Sequence, residues 1–273
     1  AARQLVFAHA ALTDLKGRRL LHDQRIARAG MGVASASEGD TDIRLRDWSL
    51  KRQPDGRYAA RVSASGFSLE LDFAPTQPVL LQGDAGLSRK GAEPDETSYY
   101  YSEPQLKVGG RIALEDRHFE PTEGRAWLDH EWSETLMSAQ AVGWDWIGMN
   151  LHDGSALTAF RLRDSAGRTL WAGGSWRDKS GKLLAFAQDE VKFEAQRPWK
   201  SPSSQASYPV EWKLATPAGR FAVKALLDDQ ELDSRGSTGT IYWEGLSDLL
   251  DERGQAVGRG YLEMTGYAGK LKL

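Results

Sequence analysis

Apolar residues fall on alternate positions along much of this chain, and that period-two rhythm restricts the fold more than any other feature. The run Phe67-Ser68-Leu69-Glu70-Leu71-Asp72-Phe73 is apolar on one face and polar on the other, as a half-buried strand requires. Similar runs at 58–62, 191–193, 210–214 and 221–227 predict further strands, while helical periodicity is scarce. Turn signals separate them: Asp55-Gly56, Asp153-Gly154, Ser165-Ala166-Gly167, Lys179-Ser180-Gly181, Pro217-Ala218-Gly219 and Arg253-Gly254. This pattern predicts an all-β protein of up-and-down hairpins, which remove their edges by closing into a barrel or stacking as a sandwich. The segments 36–41, 90–98 and 200–207 read as loops.

The rhythm breaks at 133–140, a short stretch of helix-tolerant residues. With 273 residues and a prior of one domain per roughly 150, the junction is placed there, giving domains 1–136 and 137–273. Each half is long enough for an antiparallel barrel whose interior holds a small ligand.

Composition removes several classes of function. There is no cysteine, which excludes disulfides, thiolate nucleophiles, cysteine-ligated zinc and iron–sulfur clusters. With 35 basic and 38 acidic side chains the net charge is −3, so no nucleic-acid partner is expected. No window approaches the roughly 20 apolar residues of a membrane-spanning helix, so stable membrane insertion is not expected either. An Ala1-Ala2 start is what cleavage after a small residue leaves, and a periplasmic or secreted location with its export signal removed is the corresponding expectation.

Nine of the ten tryptophans lie from Trp127 to Trp243, four of them being Trp127, Trp132, Trp144 and Trp146. Asp129, His130, Glu131, Glu134 and Asp145 are interleaved with those four. A general acid or base needs such partly dry surroundings, because desolvation raises a carboxyl pKa toward the working pH. The cluster therefore reads as an acid/base site with an aromatic wall, or as tryptophans filling a β core with charges on the alternate, wet face. Elimination narrows the chemistry. Gly236-Ser237-Thr238-Gly239 lacks the spacing of a nucleophile elbow, and His130-Glu131-Trp132-Ser133-Glu134 has Glu134 where a metalloprotease helix needs a second histidine. The five histidines show no paired spacing, so no metal is expected. In Tyr99-Tyr100-Tyr101, Tyr100 points opposite to its neighbours, and whichever phenol is buried must find a polar partner.

Several motifs carry a family resemblance. Leu81-Gln82-Gly83-Asp84-Ala85-Gly86-Leu87-Ser88-Arg89-Lys90-Gly91, Ser98-Tyr99-Tyr100-Tyr101-Ser102 and Gly124-Arg125-Ala126-Trp127-Leu128-Asp129-His130-Glu131-Trp132 resemble the AttH-like, carotenoid 1,2-hydratase-related family (hydroxyneurosporene synthase). Gly143-Trp144-Asp145-Trp146, Tyr208-Pro209-Val210-Glu211-Trp212, Tyr242-Trp243-Glu244-Gly245 and Gly258-Arg259-Gly260-Tyr261-Leu262-Glu263-Met264-Thr265-Gly266-Tyr267 are similar to its second domain. The resemblance spans nearly the whole chain. It implies two lipocalin-like antiparallel β-barrels packed together, a cavity for an isoprenoid- or lipid-like molecule, and no cofactor. Some relatives hydrate an isoprenoid double bond, and many bacterial ones carry the label of predicted secreted hydrolase.

By that resemblance His130-Glu131-Trp132 matches the catalytic neighbourhood of the hydratases. Asp129 or Asp145 becomes the proton donor and His130 the base or orienting group. Trp132, Trp144 and Trp146 form the cation-facing wall, with Tyr100, Trp243 and Glu244 as further ligand contacts. In an extended strand Asp129 and Glu131 share one face, His130 and Trp132 the other, so Asp145 is the preferred partner of His130. Hydration or hydrolysis of a bound hydrophobic molecule is the expected function. The alternatives are a non-catalytic carrier of a lipid or pigment, and a docking module with a filled interior. Oligomeric state is not legible.

Overall fold

The computed structural model describes residues 4–135 and 137–270, and Leu136, at the expected junction, lies outside the described residues. Among the described residues every regular element is a strand, arranged in antiparallel sheets. No helix is long and apolar enough to cross a membrane. The described residues of the 133–140 stretch form turns and bends, and Ser133 Oγ donates to the Thr135 carbonyl, a local bond that competes with helix.

The chain forms two compact units, but they are interleaved in sequence rather than divided at 136/137. Ala1–Thr76, Leu106–Ala126 and Ser234–Gly239 make the first, and Gln77–Gln105, Trp127–Asp233 and Thr240–Leu273 the second. The interleaving follows from one long strand, Thr97–Leu114, which leaves the second unit at Gln105 and continues in the first. Gln105 has φ of +58°, uncommon for a residue with a side chain. Its side-chain amide is held by the carbonyls of Leu151 and Ser155, each at 2.9 Å.

In the first unit, Leu5–Asp14 pairs with Arg19–Arg28 in a hairpin closed by Asp14, whose Oδ1 accepts the Gly17 N–H at 2.9 Å. A meander follows through Ala34–Ala36, Asp42–Leu45, Trp48–Arg52, Tyr58–Ala64 and Phe67–Ala74. The alternating run that begins at Phe67 is therefore a strand, as its pattern predicts. Trp48, Phe67, Leu114 and Ala10 form one small core, Val6, Ala34 and Leu45 another.

The second unit is built on a nine-strand antiparallel path. It runs Leu183–Phe186, Thr169–Arg177, Ala156–Arg163, Gly143–Leu151, Ala256–Met264, Thr240–Leu250, Gly219–Ala225, Glu211–Thr216, Lys192–Ala195. Its hairpins turn where the sequence signals them. At 164–168, for instance, Asp164 Oδ1 accepts the N–H groups of Ala166 and Arg168, and Gly167 takes φ of +78°. One face of this sheet buries Ile147, Met149, Leu157, Trp212, Trp243, Leu262 and Met264 in the largest core of the molecule. The other face is covered as well, over its central strands. Residues of Gly143–Leu151 therefore split by parity: Asp145, Ile147 and Met149 enter the core, while Trp144, Trp146 and Gly148 line a cavity.

Candidate functional site

The cavity has a volume of about 770 Å³ and lies wholly within the second unit. Its floor is one face of four neighbouring strands, where cross-strand register sets a row of side chains. Phe160 is opposite Trp146, Trp146 is opposite Glu263, and Glu263 is opposite Glu244. Directly opposed side chains on one face have Cβ atoms roughly 4.5–5.5 Å apart, and like charges there repel. Glu244 and Glu263 therefore do not both ionise freely. Burial first, then the Glu244 charge, pushes Glu263 up to about 8, against a lowering hydrogen bond from Trp144. Burial and the Asp129 charge push Glu244 up to about 7.

The opposite wall comes from Gly124–Trp132, which pairs with Thr97–Leu114. Asp129 is its centre. Oδ1 accepts from Ser102 Oγ at 2.6 Å and from Trp127 Nε1 at 2.7 Å, and Oδ2 accepts from the Tyr100 hydroxyl at 2.8 Å. Tyr100 in turn accepts from Trp146 Nε1 at 3.1 Å, tying this wall to the floor. Behind Ser102 a buried chain continues: Gln82 Nε2 donates to Ser102 Oγ at 2.9 Å, and Ser175 Oγ donates to Gln82 Oε1 at 2.7 Å. Burial raises Asp129 to about 6, overcoming the three hydrogen bonds that stabilise its charged form. Asp129 is nonetheless exposed through the cavity, so water reaches its carboxyl in the free protein. Burial and the Asp129 charge raise Tyr100 well above an ordinary phenol.

A third group closes one side. Glu131 accepts from Ser98 Oγ at 2.5 Å and pairs with Lys90 Nζ at 2.8 Å. The Lys90 ammonium lies 4.3 Å from the Phe160 ring centroid and 4.7 Å from that of Tyr100. The site thus joins an acid pair, a carboxylate with three donors, and a fixed cation among indole and phenyl faces. Among the described residues no set of three or more His, Asp or Glu side chains is placed to hold a metal ion.

The residues singled out from sequence divide between this cavity and other places. Asp129, Tyr100, Trp132, Trp144, Trp146 and Glu244 line it. Asp145 does not: it sits on the core face with no exposure, its Oδ2 2.8 Å from Arg161 Nε and 3.2 Å from Arg163 Nε, its Oδ1 accepting the Tyr267 hydroxyl at 2.9 Å. The pairing of Asp145 with His130 is therefore not formed, because the two lie on faces the sheets keep apart. His130 points away from the cavity, stacked on Tyr101 at 5.1 Å with Nδ1 3.1 Å from its hydroxyl. Trp243 is in the core, donating its indole N–H to the Asp228 carbonyl at 2.7 Å, because Glu244 takes the cavity-facing parity. Trp132 reaches the cavity rim and also stacks on Tyr99 at 5.4 Å.

Glu263, Tyr261, Lys90, Ser98 and Phe160 also line it without having been singled out as site residues. The signal for Glu263 was its place between Leu262 and Met264: an acid between apolar residues on a strand whose two faces are both covered.

These features define a class: an all-β protein with an acid-lined aromatic cavity sized for a small molecule. The chain belongs to the AttH-like family, whose sequence profile matches residues 1–267. It is similar to a crystal structure described as an AttH of Nitrosomonas europaea, at 47% identity and TM-score 0.92, covering 98% of this chain and 83% of that one. Kievitone hydratase of Nectria haematococca shares the fold at TM-score 0.77 and 17% identity, over 96% of this chain and 80% of that chain. CghA does so more distantly, at TM-score 0.51 and 11% identity, over 90% and 76%. No match is found among curated proteins.

Proposed function

We propose that this protein is a hydratase-like enzyme that adds water across a carbon–carbon double bond of a small, largely apolar molecule held in the cavity. The observation that carries the reading is the opposed pair Glu244 and Glu263, facing an indole-walled space with Asp129 across it. Unequal environments divide the carboxyl roles. Glu263, held protonated near neutral pH, gives its proton to one alkene carbon. The C–H bond forms, the other carbon becomes cationic, and Glu263 is left as carboxylate. Water attacks that carbon, and Asp129, whose three donors favour its charged form, takes the proton the water loses. Passage of that proton back to Glu263 through cavity water restores the site, for a net addition of H and OH. The faces of Trp144 and Trp146 stabilise the cationic centre, an effect worth about 2 kcal/mol when desolvated.

The likeness in fold to kievitone hydratase supports a small-molecule substrate, and supports reading the long antiparallel sheets as lipocalin-like barrels. An isoprenoid- or lipid-like substrate fits the apolar walls. The test is incubation in heavy-oxygen water with kievitone and, separately, with isoprenoid and lipid extracts, followed by mass spectrometry. Heavy oxygen incorporated by the native protein and lost in Glu263→Gln supports hydration. One compound enriched but unchanged by both proteins overturns it in favour of a carrier.

A further inference from the structure

Among the cavity's acids, Glu244 stands apart. Asp129 has three donors, Glu131 has Ser98 and Lys90, and Glu263 has Trp144. Among the described residues no hydrogen bond or ion pair reaches the Glu244 side chain; burial and the charges of neighbouring carboxyls act on it. Water in the cavity serves such an acceptor in the free protein, so a ligand that displaces that water must bring a partner of its own.

The surrounding walls are suited to one kind of partner. Trp127, Trp144, Trp146, Tyr100 and Phe160 present rings to the same space, and ring faces attract cations. The protein's own Lys90 already shows the geometry, its ammonium resting against the Phe160 and Tyr100 rings while a carboxylate holds it. One cation against four carboxyl groups leaves the cavity short of positive charge.

We propose that the cavity recognises organic cations, specifically a tertiary or quaternary ammonium carrying apolar substituents, with Glu244 as the counter-charge. This deepens the hydration reading and rests on it in one respect. Alkene protonation converts a carboxylic acid and a neutral substrate into a carboxylate and a carbocation, so a permanent ammonium opposite an ionised carboxyl reproduces that charge arrangement. Such cations bind as mimics of the reaction's high-energy state.

Proton linkage follows. The groups facing the ligand are Asp129 and Glu131 on Gly124–Trp132, Tyr100 on Thr97–Leu114, Glu244 on Thr240–Leu250, Tyr261 and Glu263 on Ala256–Met264, and Lys90 from the loop before Thr97. Tyr242, on the same strand as Glu244, feels the Glu244 and Glu263 charges. A cation favours the charged carboxyls, so binding expels protons, and affinity rises with pH until those carboxyls are already ionised in the free protein.

The probe is benzyltrimethylammonium, compared with its neutral isostere 2,2-dimethylpropylbenzene, by tryptophan fluorescence titration and by calorimetry in buffers of different ionisation enthalpy. The cation is expected to bind roughly tenfold or more tightly than the isostere at pH 8. The preference shrinks at pH 5.5, with proton release detectable near pH 7. Glu244→Gln removes the preference yet leaves binding of the neutral compound, which also reports that the variant is folded. Equal affinities at pH 8, cation affinity that falls as pH rises, or a preference unchanged in Glu244→Gln each overturn the proposal. Water addition without cation preference sinks this inference alone, and cation preference without water addition to any compound sinks the hydration reading alone.

Discussion

Glu263 shows how a single residue connects stability with chemistry. Its folded-state pKa of about 8 lies above the ordinary 4.5, so the folded state holds a proton that the unfolded chain has released between those values. Stability contributed at this site therefore falls as pH rises through that window, is unpenalised below it and fully penalised above it. Glu263→Gln should melt close to the native protein at pH 4.5 and at a higher temperature at pH 8, a difference on the order of a few kcal/mol. Thermal unfolding at the two pH values measures this, and equal shifts at both would show that Glu263 is an ordinary ionised surface acid. Asp145 has the opposite design. Held by Arg161 and Arg163 with no exposure, it belongs to a buried ion-pair cluster whose two guanidinium groups lie against aromatic rings.

At the scale of the element, the Gly143–Leu151 strand carries both the core and the site. Gly148 makes this possible. A Cβ there would stand 2.4 Å from Cη2 of the Trp146 indole and 3.1 Å from Cε2 of Trp127, so the absence of a side chain lets the Trp146 ring lie flat along its own strand. Gly148→Ala should push that ring from its place, lengthen its hydrogen bond to Tyr100, and cost about 1–3 kcal/mol by overpacking. A shifted tryptophan emission maximum together with weaker binding of the cavity's ligand is the expected observation. The neighbouring Gly260 differs: a Cβ there would stand 1.9 Å from the Gly148 carbonyl oxygen, within the strand pairing itself. Strand and turn positions were legible from period two and from Gly-containing turns, since both are local consequences of backbone geometry. So was the opposition of Asp129 and Glu131 to His130, whereas Trp132, at the end of the strand, reaches the cavity rim as well.

For the whole molecule, the second unit draws on three separated stretches of chain, and the cavity uses all three: Lys90 and Tyr100 from the first, Asp129 and Trp146 from the second, Glu244 and Glu263 from the third. A fragment 137–273 lacks Lys90, Tyr100, Asp129 and Glu131. It should show neither cooperative unfolding nor the ligand binding of the full chain, and circular dichroism with the fluorescence titration would reveal both defects. By itself the sequence determined the all-β class, the strand rhythm, the family, and the parity of neighbours within each strand, because these depend on residues a few positions apart. Only the tertiary structure decided which parity meets the core and which the cavity. With both faces of the central sheet covered, Asp145 and Trp146 are equally acceptable inside, and alternation cannot rank them. It also decided that Glu263 faces Glu244 and that Tyr100 reaches Asp129. Those meetings are set by cross-strand register between segments distant along the chain, where desolvation and like charge then shift the carboxyls that no local pattern marks.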